Sequence, residues 1–180
     1  EMAAGYLKEI RKDFKAYVEE DGVVLAVCAA YQLLGNYYRT EKKTIEGLGI
    51  LDICTQWKPG RLVGNAVLES PLFSTPVVGF ENHGGRTEIG DHTPLGRVLF
   101  GHGNTGNSGY EGLVYKNLFA TYLHGPLLPK NPEVCDGLLE RALKRKYGKE
   151  IELEPLSDIP EYRANRNIVE RYTPPGSRHI

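Results

Sequence analysis

Three cysteines and five histidines carry the nucleophile and base chemistry open to this chain. Cys28 stands in "LAVCAAYQLLG", between a continuous apolar run and the apparent start of a helix. A strand that ends in a nucleophile and turns at once into a helix is a nucleophile elbow. That turn projects the side chain beyond the carboxyl end of the sheet, where open α/β folds bind ligands. The amides of the following helix point at the same place, where they lower a thiol pKa and stabilise an oxyanion. The turn is crowded, so its flanking positions must be small, and here they are Ala26 and Ala30. A free cysteine after an apolar run also suits a buried packing role. These residues alone leave both readings open.

A thiol nucleophile needs a base, usually histidine. His179 lies in the C-terminal tail, where exposure is expected. His92 and His102 fall in Gly-rich polar turns and read as loop surface. His83, in "FENHGG", follows an apolar strand and suits a binding role. His124 ends "NLFATYLH" just before Gly125-Pro126, at a strand end that reaches a cleft but equally suits a structural histidine. His83, His92 and His102 are irregularly spaced and form no H-E-x-x-H, so no metal site is expected. The string "GHGNTG" at 101–106 matches G-x-G-x-x-G, but turn residues come after it. A dinucleotide fingerprint must open a helix, so this one reads as a long hairpin loop. No Walker loop is present, and no cofactor is expected.

The elements that must position these groups are legible in the hydrophobic pattern. The chain has 180 residues, 41% apolar and 25% charged, with a net charge of −1. That is enough for one domain with a full core, and nothing in it favours nucleic acid or an anionic membrane. The longest apolar run, residues 23–30, is too short to span a bilayer. Three widely spaced cysteines without C-x-x-C, and no export signal, point to a reducing cytoplasm. Ala3, Leu7, Ile10, Phe14 and Val18 predict a helix over 1–20. The β-branched run 23–27 predicts a strand buried on both faces, and a helix is expected from Ala29 to about Tyr38. "IEGLGILD", "RLVGNAVL", "TPVVGF", "GRVLF" and "NLFATYLH" read as short strands, some pairing as an antiparallel extension. A helix begins at Pro132, N-capped by Asn131 and closed by Gly148, and "SDIPEYRANRNIVERY" predicts one more before a loose tail. The class is α/β.

Together "AVCAAYQLLG", "GRLVGN", "GFENHGGRT" and above all "EGLVYKNLFATYLHGPLLPKNP" resemble the class I (triad) glutamine amidotransferases, in their cobyric acid synthase-like branch. The likeness covers roughly residues 20–140, and within the branch it is strongest to the glutaminase subunits of lipid II isoglutaminyl synthases. It implies a flavodoxin-like, mostly parallel sheet flanked by helices, with an amidotransferase domain over 1–148 and an extension over 149–180. It implies that Cys28 attacks the side-chain amide of L-glutamine, that His124 moves the proton, and that the Ala29 amide supplies half of an oxyanion hole. Gln32 would contact substrate, Arg61 would hold its carboxylate, and Asn82, His83 and Gly84 would line the pocket. Arg61 as a plain surface charge remains open on the residues alone. The ammonia would go to a separate Mur-ligase-like, ATP-dependent partner subunit that amidates D-glutamate of the lipid II stem peptide.

Three departures from the family pattern stand out. The elbow carries Ala26 and Ala30 where glycines are common. Pro126 stands where many triad enzymes have glutamate, a trait of this branch that leaves the third triad member unplaced. The upstream strands and the glycine-rich loop bearing the other oxyanion amide are expected to lie outside this sequence. Cobyrinate or cobyrate amidation, and a ligase-binding scaffold without catalysis, are the alternatives to the cell-wall reading.

Overall fold

The computed structural model describes residues 2–173, with side chains from residue 5 onward. His179 and all but the first residue of the tail "TPPGSRHI" lie outside the described residues, as does the side chain of Ala3.

The N-terminal helix is two helices, α1 (Met2–Glu9) and α2 (Arg11–Glu19). Ile10 between them leaves helical geometry at φ −98°, ψ 5°. The break turns Ile10 outward, half exposed, while Leu7, Phe14 and Val18 pack onto the core. β1 (Val24–Val27) comes next and pairs in parallel with β9 (Leu118–Thr121), from Val24 opposite Leu118 to Val27 opposite Thr121. β9 also pairs antiparallel with β8 (Leu113–Tyr115), giving a three-stranded sheet. β1 therefore has a neighbour on one side only among the described residues. Val24, Leu25 and Val27 are half-buried, where the apolar run predicted burial on both faces.

α3 spans only Ala29–Leu34. The expected helix to Tyr38 stops because Gly35 is extended, and Tyr37, Tyr38 and Arg39 form β2 (Tyr37–Arg39) instead. β2 pairs with β3 (Thr44–Glu46) and runs parallel to the start of β4 (Cys54–Glu69). "IEGLGILD" is thus strand only at its first two residues, and the rest is connecting chain. β4 pairs antiparallel with β5 (Val77–Glu88) along most of its length. The far end of β4 also pairs with β6 (Gly96–Phe100), and β6 pairs with β7 (Tyr110–Glu111). β10 (Leu123–His124) closes the other edge against β5. The α/β class holds, but antiparallel pairing is more extensive here than a mostly parallel sheet implies. Parallel pairs are confined to β1 with β9 and β2 with β4 among the described residues.

α4 (Leu127–Lys130), α5 (Pro132–Tyr147) and α6 (Ile159–Tyr172) complete the chain. Gly148 closes α5 in the left-handed conformation, φ 67°. Asn131 stands at its N-cap position but makes no side-chain cap. Its amide instead pairs with both backbone groups of Val78, at 2.8 and 2.7 Å, and with Leu127 O. Asn165 of α6, buried, donates to Pro76 O and Lys130 O, which docks α6 on the end of β5. One core cluster joins α2, α3, β1 and β9 through Val18, Tyr31, Ala26 and Ala120. A second joins β4, β5, β10 and α5 through Leu68, Val77, Leu123 and Val134. No helix among the described residues is long and apolar enough to cross a membrane.

Candidate functional site

Cys28 sits in the one-residue turn between β1 and α3 with φ 54° and ψ −107°. Positive φ is costly for any residue with a Cβ, and such strain concentrates at functional positions. The turn is held from both sides. Cys28 N donates to Thr121 O at 2.9 Å, continuing the β1–β9 ladder, and Cys28 O accepts from Gln32 N at 3.0 Å, starting the helix. Ala26 is buried, whereas Ala30 lies exposed on α3, so alanine fits both flanks. Burial, the largest influence, pushes the Cys28 thiol up, while a hydrogen bond from the Ala29 amide and the charge of Arg61 act the other way. The net rise keeps the thiol protonated, so a base is needed to make the thiolate. The other two cysteines, Cys54 and Cys135, are free thiols like Cys28.

His124 reaches the same sheet end by topology. The strand beside Cys28 ends at Thr121, and His124 comes three residues later, after the chain has left β9 and joined β5 opposite Phe80. Directly opposed residues of an antiparallel pair share a face, and successive residues alternate. His124 therefore stands on the face of Phe80 and Asn82, and Glu81 and His83 point the other way. Its Nε2 is buried and makes no hydrogen bond among the described residues.

Arg61 is brought in by an irregularity of β4. Between Trp57 and Leu62 the pairing with β5 is interrupted, and Lys58, Pro59, Gly60 and Arg61 stand opposite Gly84 alone. Gly60 has φ 80° in this bulge. Arg61 donates through Nε and Nη2 to Asn82 Oδ1, at 2.9 and 2.8 Å, and through Nη2 to Asn82 O. The exposed guanidinium is thereby oriented, with Nη1 left to face Gly84. A Cβ on Gly84 would lie 3.1 Å from the Trp57 ring, so its absence keeps this wall open.

Two expected substrate contacts face inward. Gln32 is buried, and its Nε2 meets the Tyr122 hydroxyl at 3.2 Å. His83 is also buried, stacked on the Tyr122 ring at 3.6 Å, with Nδ1 2.7 Å from Gly85 O. Strand alternation is the cause for His83, since Asn82 takes the outer face. The structure thus brings Cys28, Ala29 and Arg61 together, with Asn82 and Gly84 against Arg61 and His124 on the Asn82 face of β5, and Gln32 and His83 packed against Tyr122. His102 is exposed in the loop after β6, as expected, whereas His92 is half-buried against the Tyr115 ring. No three His, Cys, Asp or Glu side chains gather to hold a metal ion among the described residues.

Residues 1–132 match the CobB/CobQ-like glutamine amidotransferase domain. This chain belongs to that family. It is 46% identical over 171 residues to the lipid II isoglutaminyl synthase (glutamine-hydrolyzing) subunit GatD of Staphylococcus aureus, covering 94% of this chain and 69% of that one. It is 41% identical over 160 residues to the GatD of Streptococcus pneumoniae, covering 87% of this chain and 60% of that one. A probable cobyric acid synthase of Methanothermobacter thermautotrophicus is 32% identical over 136 residues, covering 67% of this chain and 26% of that one. The chain thus spans between three fifths and seven tenths of the length of these two GatD relatives.

In this CobB/CobQ-like domain, three residues that sequence reasoning missed frame the site. Tyr38, assigned above to a helix, lies on β2 within electrostatic reach of both Cys28 and Arg61, and burial pushes its phenol up. Tyr122 donates to or accepts from Thr87 Oγ1 at 2.6 Å, and burial pushes its phenol to about 12. Arg86, buried, ties Gly60 O at 2.7 Å to Gly84 O and Gly85 O, and so pins the bulge that carries Arg61. Tyr122 had a local signal, its place two residues before His124 in the apolar run "NLFATYLH". Tyr38 and Arg86 had none, because their roles depend on the pairing of β2, β4 and β5.

Proposed function

We propose that this chain hydrolyses L-glutamine to glutamate and ammonia with Cys28 as nucleophile and His124 as base. The observation that carries the reading is the strained Cys28 turn, bonded through its amide to the strand that delivers His124 three residues on. His124 takes the thiol proton, and Cys28 Sγ attacks the carboxamide carbon of glutamine. The Ala29 amide, which already meets the Cys28 sulfur, stabilises the developing oxyanion. Collapse breaks the C–N bond, and the histidine proton goes to the departing ammonia. Water, deprotonated by His124, then attacks the γ-glutamyl thioester and releases glutamate and the thiol. Arg61 pairs with the α-carboxylate of the substrate, a role suited to its planar fork once it is oriented by Asn82. Gly84 and Asn82 line the mouth, and Gln32 and His83 support it from behind.

The ammonia goes to an ATP-dependent, Mur-ligase-like partner subunit, which amidates D-glutamate of the lipid II stem peptide in the cytoplasm. Similarity to two GatD subunits at 46% and 41% identity supports this over cobyrinate or cobyrate amidation, where identity is 32%. Phe80 and Val63, exposed beside His124 and Asn82, supply an apolar rim for such a partner. The test is glutamate release by the complete complex carrying Cys28→Ala. Loss of turnover is expected; undiminished turnover contradicts the assignment.

A further inference from the structure

The CobB/CobQ-like site needs a strand to change sheets within three residues. Thr121 ends β9 beside Cys28, Tyr122 belongs to neither sheet, and Leu123 and His124 join β5. At such a switch the backbone amides lose their ladder partners, and a buried unpaired amide is costly. Glu111, fully buried, supplies what is missing. Its Oε1 accepts from Tyr122 N at 2.6 Å, and its Oε2 accepts from Thr121 Oγ1 at 2.9 Å. The Thr121 hydroxyl oxygen in turn accepts from Leu123 N at 3.0 Å, and Thr121 O accepts from Cys28 N. One carboxylate therefore fastens both the backbone that holds Cys28 and the backbone that leads into His124.

Glu111 itself is mounted at the end of β7, which the "GHGNTG" loop braces. Asn104, buried, accepts from Gly112 N at 2.9 Å and donates to Gly112 O at 3.0 Å. The amides of His102 and Gly103 donate to the buried carboxylate of Glu81, at 2.6 and 3.0 Å. A glycine loop that resembles an anion cradle thus holds an anion of its own chain. A Cβ at Gly112 would lie 2.6 Å from Ala120 O, so glycine, with φ 63°, lets Glu111 come up against β9.

We propose that Glu111 is a positioning residue for glutamine hydrolysis, which sets the Cys28–His124 geometry by capping the strand switch at Thr121–Leu123. The inference rests on the roles proposed above for those two residues. In Glu111→Gln the amide keeps one acceptor and turns a donor toward Thr121 Oγ1, which disturbs the bond to Leu123 N. Misplacement of this order costs about 10²-fold at a reacting pair.

The test is a double-variant cycle read by the rate of Cys28 alkylation by iodoacetamide, quantified at that residue by mass spectrometry, with kcat and KM for glutamine measured in the complete complex. His124→Ala slows alkylation of Cys28, Glu111→Gln slows it toward the same value, and the double variant is no slower than His124→Ala alone. In turnover, Glu111→Gln lowers kcat by about 10- to 100-fold and leaves KM within about twofold. Leu113→Ala, a fully buried residue two positions on, serves as the destabilised control with alkylation unchanged. Additive slowing in the double variant, or an unchanged rate in Glu111→Gln, overturns the proposal while the Cys28–His124 reading stands. Should His124→Ala leave the rate unchanged, that reading and the proposal both fall.

Discussion

Removing the Cβ of Cys28 should stabilise the protein although it abolishes the chemistry. The backbone there has φ 54° and ψ −107°, outside the usual regions for a residue with a Cβ. Holding such a residue costs about 1–3 kcal/mol, and glycine escapes that cost. Against this, glycine loses about 0.5–1 kcal/mol more backbone entropy on folding. Cys28→Ala and Cys28→Gly both delete the thiol and differ only in the Cβ. The glycine variant should therefore be the more stable by about 1 kcal/mol, or about 2–4 °C in Tm for a chain of this size. Urea and thermal unfolding of the two variants measure the difference. Ala30→Gly, two residues on and inside α3, is the internal control, since there glycine should cost up to about 1 kcal/mol. A Cys28→Gly protein no more stable than Cys28→Ala would show that the turn is not strained, and the argument for an elbow would fail.

Three further outcomes are expected from the geometry. Arg61→Lys loses the fork that Asn82 orients and should raise KM for glutamine at least about tenfold with a smaller change in kcat, by steady-state kinetics. Gly85→Ala places a Cβ 2.6 Å from Gln32 Nε2 and 2.7 Å from Thr55 Cγ2, and urea unfolding should show a loss of about 1–3 kcal/mol. Burial, the largest influence, raises the Glu111 carboxyl from 4.5 to about 7. The folded state thus holds this proton more tightly than the unfolded chain. The contribution is full below the unfolded value and is lost as pH rises through about 7. It amounts to about 3 kcal/mol between pH 4.5 and 8. Glu111→Gln should flatten that fall in urea titrations at several pH values, and an unchanged slope would contradict the assignment.

The parts of the fold legible in the sequence are those set by local pattern. The apolar run and the small residues around Cys28 mark the turn, and Pro132 and Gly148 bracket α5 because each fits the local backbone there. Turn residues after "GHGNTG" mark a loop between β6 and β7 rather than a nucleotide cradle. What escaped was set by distant pairing. The helix after Cys28 ends at Leu34 because Tyr37 and Tyr38 find partners in β4, at Cys54 and Thr55. In "FENHGG" the alternation of Phe80 and Asn82 against Glu81 and His83 was available as a signal that His83 faces inward. Asn131 looks like a helix cap, yet Val78, far away in sequence, offers its amide both a donor and an acceptor. Glu111 gave no signal, since its importance lies in a strand that changes sheets ten residues later.

The claim most in need of direct test is that Cys28 is the nucleophile of a glutamine site. A glutamine-analogue electrophile incubated with the protein, with peptide mass spectrometry as the readout, measures it. One adduct is expected, on Cys28, formed faster than with a simple alkylating agent, blocked by L-glutamine and slowed in His124→Ala. Labelling of Cys54 or Cys135 at an equal rate, or an adduct on Cys28 that glutamine does not prevent, would contradict it.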